Sequence, residues 1–150
     1  MKSISKYTIS IIFVAILCIL INASTEVVAV GSNDKQAWVS KGDALNRMGN
    51  FSQAIAAYDA ALKMDPNYVN ALDGKGWSLN GLGNYSQAIV YLDKALRIDP
   101  NHLDGLVFKA QALYKIGNYT GAKYYSDKAF QIDPKSPALK RLPEVFRKVQ

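Results

Sequence analysis

Few of the 150 residues are of a type that carries chemistry. His102 is the sole histidine and Cys18 the sole cysteine. Acid–base catalysis would need that histidine beside a second titratable group, and Asp99 and Asp104 flank it; the pair is read as helix-end chemistry, because Asp99 recurs with Asp65 and Asp133. Cys18 lies inside an apolar run, so no nucleophile–base pair of the usual kind can be assembled. No second histidine is present to give metal-ligand spacing, and no glycine-rich phosphate loop occurs. The expectation is a non-enzymatic chain with no metal and no cofactor. The formal charge of +6 is spread along the chain without a basic cluster interleaved with aromatics, so nucleic acid is not an expected partner. Four Asn-X-Ser/Thr triplets begin at Asn22, Asn50, Asn84 and Asn118. The last three are candidate glycosylation acceptors in an exported chain. Turn preferences alone generate the same triplets, and that is the stronger reading.

The elements that hold these residues follow from a repeat. Pro66, Pro100 and Pro134 stand 34 residues apart, and so do Gly49, Gly83 and Gly117, each followed by asparagine. Aligning residues 35–68, 69–102 and 103–136 leaves nine positions unchanged, in the first unit Lys41, Leu45, Gly49, Asn50, Ala54, Asp59, Ala61, Asp65 and Pro66. Gly49 can take the left-handed conformation that ends a helix, and Ser52 (Ser86, Thr120) is placed to cap the next one. Pro66 stops the second helix and biases Asp65 out of helical dihedrals. In the middle unit the spacing predicts helix A over about 70–83 and helix B over about 86–99. Leu72, Lys75, Gly76, Leu79 and Leu82 form the stripe of helix A, and Ala88, Ile89, Leu92, Ala95 and Leu96 that of helix B. A unit this small cannot bury its own apolar face, so such units stack.

The pattern resembles the tetratricopeptide repeat family. The first unit carries its signature as Trp38, Gly42, Leu45, Ala54, Tyr58, Ala61 and Pro66, and the second as Leu72, Gly76, Leu79, Ala88, Leu92, Ala95 and Pro100. The third keeps Leu106, Leu113, Ala122, Ala129 and Pro134, with Ala110 and Ser126 at the glycine and large apolar positions. Lys41, Lys75 and Lys109 depart from the family's apolar preference; their stems are expected to pack while the ammonium groups reach water. The resemblance implies an all-α fold, a right-handed α-solenoid of three helix–turn–helix units, and a role in binding proteins. Some members bind chaperone tails through a clamp of lysine, arginine and asparagine. The matching places here hold Val39, Asp43, Gly74, Asp104 and Phe108, so that clamp is missing.

Residues 1–29 read as an export signal or an amino-terminal anchor, and 30–34 as a linker. Lys2 and Lys6 precede the apolar run of residues 7–21, and polar residues follow, with Val27-Val28-Ala29 or Ala23 as cleavage sites. Removal and retention as a membrane anchor both stay open, and either places the repeats outside the cytoplasm. Residues 137–150 are expected to form a capping helix that begins at Ser136-Pro137, with Leu139, Leu142, Phe146 and Val149 on its apolar face and a kink or break at Pro143.

Setting aside the core stripes leaves the residues expected to line the concave face. They are Val39, Asp43, Asn46 and Arg47 in the first unit, and Asn70, Asp73, Trp77, Asn80 and Gly81 in the second. The third gives Asp104, Val107, Phe108, Gln111, Tyr114 and Lys115. Trp77 lies about 140° from Leu72 on a helical wheel, so it is expected to be exposed as a binding anchor beside Phe108 and Tyr114. The leading expectation is an exported module that holds an extended peptide or a partner helix in this groove. The alternative is a structural protein whose solenoid ends form a weak homo-oligomer or a surface assembly.

Overall fold

Glycine and proline punctuate residues 35–132 into six helices of alternating role. The computed structural model describes residues 34–147; the run of residues 7–21, Cys18, Asn22, the cleavage sites and Val149 lie outside them. The helices are α1 (Lys35–Arg47), α2 (Phe51–Met64), α3 (Val69–Gly81), α4 (Tyr85–Ile98), α5 (Leu103–Lys115) and α6 (Tyr119–Ile132). Each turn within a unit is built on one glycine, with φ of 76° at Gly49, 79° at Gly83 and 83° at Gly117. The amide of Asn50 donates to Leu45 O at 2.9 Å and that of Gly49 to Asn46 O at 3.0 Å, which closes the last carbonyls of α1. The other two turns repeat these bonds. Between units Asp65, Asp99 and Asp133 are extended, and each carboxylate accepts from the amide two residues on, at 3.0–3.1 Å. The serine cap is corrected: α2 begins at Phe51 with Asn50 as its N-cap, and of the three turn asparagines Asn118 alone accepts a side-chain cap bond, from Gly121 N at 2.9 Å.

The helices pack in sequence, each on the next, while α1 also meets α3 and α3 meets α5. This is an α-solenoid with α1, α3 and α5 side by side along one face. Small residues permit the close approach. A Cβ added at Gly74 would lie 2.4 Å from the Tyr58 ring, and one at Gly76 would lie 2.6 Å from Leu92. Tyr58 is fully buried between Gly42 and Gly74, and its hydroxyl donates to Asp43 Oδ1 at 2.7 Å. Burial, with the Asp43 bond and charge, pushes that phenol above its ordinary range.

The unchanged lysines and aspartates are explained by contacts between units. Lys75 on α3 reaches Asp59 on α2 at 2.6 Å and lies 4.2 Å from the centre of the Tyr91 ring. Lys109 on α5 repeats this with Asp93 on α4 and lies 3.9 Å from the Tyr125 ring. Their ammonium groups are therefore not simply in water, which corrects the expectation above. Burial pulls both lysines down, but bonds to the aspartate and tyrosine outweigh it and raise them. Lys41 has no earlier unit among the described residues to supply an aspartate, and it rests on the Trp38 ring.

The carboxyl-terminal segment is not one helix. Ser136 Oγ accepts from Ala138 N at 3.3 Å and starts a 3-10 turn, Pro137–Arg141; Pro143 follows and a short α7 (Glu144–Arg147) ends the described chain. Ala138, Leu139 and Leu142 are buried against Leu106, Val107, Ala110 and Ala129, so the segment covers the end of the third unit. Phe146 meets Tyr114 edge to face at 5.8 Å. Leu82, expected in the core stripe, is 44% exposed, because the helix ends there and its side chain lies at the turn.

Candidate functional site

The expected groove residues divide into three groups. Val39, Asp43, Arg47, Asn70, Asp73, Trp77, Asp104 and Phe108, with Val39 and Phe108 themselves buried, come together with Gly74, Gln36, His102 and Arg141 around a cavity of about 210 Å³. Trp77, Asn80, Gly81, Gln111, Tyr114 and Lys115 surround a second cavity of about 390 Å³ with Tyr85, Arg141, Pro143 and Glu144. Asn46 and Val107 line neither. Asn46 is buried because its amide donates to Tyr58 Oη at 3.1 Å and to Gly74 O at 3.3 Å while Ser78 donates to it at 2.8 Å. Val107 is fully buried because the carboxyl-terminal segment lies on it.

Trp77 is half-buried rather than fully exposed. Its ring stacks on Phe108 with centroids 5.4 Å apart and planes 8° apart, and Phe108 is itself buried. The Arg141 guanidinium lies 5.4 Å from both ring centres, and its Nη1 donates to Asp104 Oδ1 at 2.8 Å. Gln111 donates to the Arg141 carbonyl. Arg141 thus stands between an acidic compartment and an aromatic one, with Trp77 shared by both. The repeat gave no signal for this residue, since it lies beyond the third unit.

The acidic compartment is floored by Asp73, of which 7% is exposed. Its Oδ2 stands 3.6 Å from His102 Nε2, and its Oδ1 is buried with no hydrogen-bond partner. Burial pushes the carboxyl up to about 6, the His102 bond and charge oppose, and Asp104 and Asp43 add to the rise. His102, the N-cap residue of α5, is raised by the Asp73 bond against the effect of burial. Asp104 lines this cavity and also stands in the first turn of α5, so the helix-end reading holds for it as well as for Asp99, which accepts from Asn101 N at 3.0 Å. In the aromatic compartment Asn80 Nδ2 donates to Phe108 O at 2.9 Å, while its Oδ1 is buried without a partner. The turn asparagines Asn50, Asn84 and Asn118 are exposed. Among the described residues no group of three His, Cys, Asp or Glu is placed to hold a metal, and no helix is long and apolar enough to cross a membrane.

Tetratricopeptide repeat family models match residues 23–69, 39–102 and 79–142. The chain belongs to the tetratricopeptide repeat family. No curated protein matches it. Among solved structures it is similar to the first such domain of human RPAP3, with 15% identity and a TM-score of 0.69 over 79% of this chain and 91% of that one. It is also similar to the first such domain of Spaghetti (RPAP3) bound to the HSP90 peptide SRMEEVD, with 15% identity and a TM-score of 0.68 over 78% and 90%. A third likeness is to MamA from Desulfovibrio magneticus RS-1, with 24% identity and a TM-score of 0.62 over 70% of this chain and 59% of that one. These likenesses concern the fold.

Proposed function

We propose that this chain is a non-enzymatic interaction module that works outside the cytoplasmic membrane and holds an extended peptide or a partner helix in its groove. The observation that carries the reading is Trp77, which keeps part of its ring open to both compartments while Phe108 fixes its plane. Rigid, half-open aromatics of this kind are frequent anchors of interfaces. A neighbour of the same fold holds a heptapeptide, SRMEEVD, which supports a peptide-sized occupant. The export half rests on Lys2 and Lys6 before the apolar run, which serves as membrane anchor if retained. On that side the exposed Asn50, Asn84 and Asn118 are glycosylation acceptors wherever the cell supplies the machinery. Partner affinity and melting measured together on Trp77→Ala test the groove. Affinity should fall by about 2 kcal/mol or more with helicity kept. Affinity preserved at low temperature alongside a collapsed melting point would make Trp77 a packing residue and the groove reading wrong.

A second reading has its own observation. Among the described residues Lys41, at the ladder position of Lys75 and Lys109, meets no aspartate, and at the far end Asp127 pairs within its own helix, with Lys123 at 2.8 Å. Association of solenoid ends into a homo-oligomer would bring such halves together. Sedimentation of wild type and Lys41→Glu tests it, since a monomer in both cases excludes it.

A further inference from the structure

We infer that the acidic compartment, between Asp43, Asp73 and Asp104, receives a lysine or arginine side chain of the bound peptide. The inference deepens the groove reading and rests on it. Asp73 breaks the repeat, since the same place in the other units holds Val39 and Val107, both apolar and buried. A solenoid core has no need of a carboxylate there, and a buried charge costs free energy unless it is paired. Its pairing is incomplete: Oδ1 has no partner, and His102 stands 3.6 Å from Oδ2. Asp43 from α1 and Asp104 from α5 flank it, so three adjacent helices each send one carboxylate to the same cavity.

The charged groups that face this cavity do not complete Asp73. Arg141 is engaged by Asp104 and by the two rings, and Arg47 is exposed at the edge of the groove. Among the described residues no three His, Cys, Asp or Glu side chains are placed to hold a metal ion. A long cationic side chain suits the cavity, because it can enter a space of about 210 Å³ and bond the carboxylates in succession. Arg141 supplies an internal precedent. Its guanidinium already lies over Trp77 and Phe108 with a carboxylate as second partner, so the groove's own surface accepts that group.

The test pans random linear dodecapeptides displayed on phage against the immobilised full-length chain in mild detergent near neutral pH. Enriched peptides should share lysine or arginine at one position. In a synthetic copy, exchanging that residue for citrulline or norleucine should weaken binding to wild type by about tenfold or more. The loss should shrink to about twofold or less on Asp73→Asn, and also on Asp43→Asn, which keeps an acceptor for Tyr58. Circular dichroism on both variants separates binding from folding. Enrichment with no shared basic residue, or an equal loss on wild type and both variants, would overturn the basic-peptide inference and leave the groove reading standing. Enrichment no greater than on a blank surface would overturn both.

Discussion

Exchanging Asp73 for asparagine should remove most of the dependence of this fold's stability on pH in the weakly acidic range. Burial raises the Asp73 carboxyl from 3.8 to about 6, so the folded chain keeps a proton there that the unfolded chain has released. A tenfold change in proton affinity corresponds to about 1.4 kcal/mol, so the whole rise is worth roughly 3 kcal/mol at most. For a carboxyl raised in the folded state, stability is full below the unfolded value and is lost as pH climbs through the folded one. His102 acts in the same direction, because its bond to Asp73 raises it above 6.5 and its contribution is lost as pH rises through that higher value. Through Asp73 alone wild type should therefore gain about 1.4 kcal/mol between about pH 8 and about pH 5, which is about 6 °C of melting temperature for a domain of this size, and His102 adds to it. Below about pH 4 the sign reverses, since Asp65, held below its ordinary value by Lys35 and the Asn67 amide, loses its contribution as pH falls. Asp73→Asn should melt above wild type near pH 8 and show a nearly flat profile down to pH 5. Thermal melts by circular dichroism at constant ionic strength read this directly. Parallel profiles for the two proteins, or a wild type that melts lower at pH 5 than at pH 8, would refute the reasoning.

Gly74→Ala drives a methyl to 2.4 Å from the Tyr58 ring and should cost about 3 kcal/mol in urea denaturation, whereas Gly49→Ala meets open space and should cost about 1 kcal/mol through its positive φ alone. Truncation after Ser136 should lower solubility and shift Trp77 emission to the red, because it uncovers Leu106, Val107 and Ala110 and removes Arg141 from the ring; unchanged solubility and emission would show that the segment is no cap. Protease added to spheroplasts should digest the repeats, and protection until lysis would contradict export.

The six helices were legible because each boundary is written in local chemistry: a glycine that must turn left-handed, an aspartate before proline, small residues at the crossings. The unchanged Lys and Asp positions were visible too, but not their pairing, since Lys75 and Asp59 belong to different units and meet only when the stack sets its register. The groove was less legible for a related reason. A wheel drawn from one core stripe treats everything else as open, yet helices α3 and α5 have neighbours on both flanks and, at α5, a covering segment. Phe108 and Val107 are buried by those neighbours, and Asp73 is buried while still lining the cavity. Arg141 could not be found from the repeat at all, because its place depends on how the chain folds back after Pro137.

The central claim is that the partner lies in the groove, and site-specific photo-crosslinking addresses it most directly. Benzoylphenylalanine placed at Asn70 and at Lys115 samples the acidic and aromatic compartments, while Val90, 51% exposed on α4, samples a surface that lines neither. With the partner recovered on the full-length chain, adducts are expected from residues 70 and 115 and not from residue 90. Adducts from residue 90 with none from the other two would contradict the account.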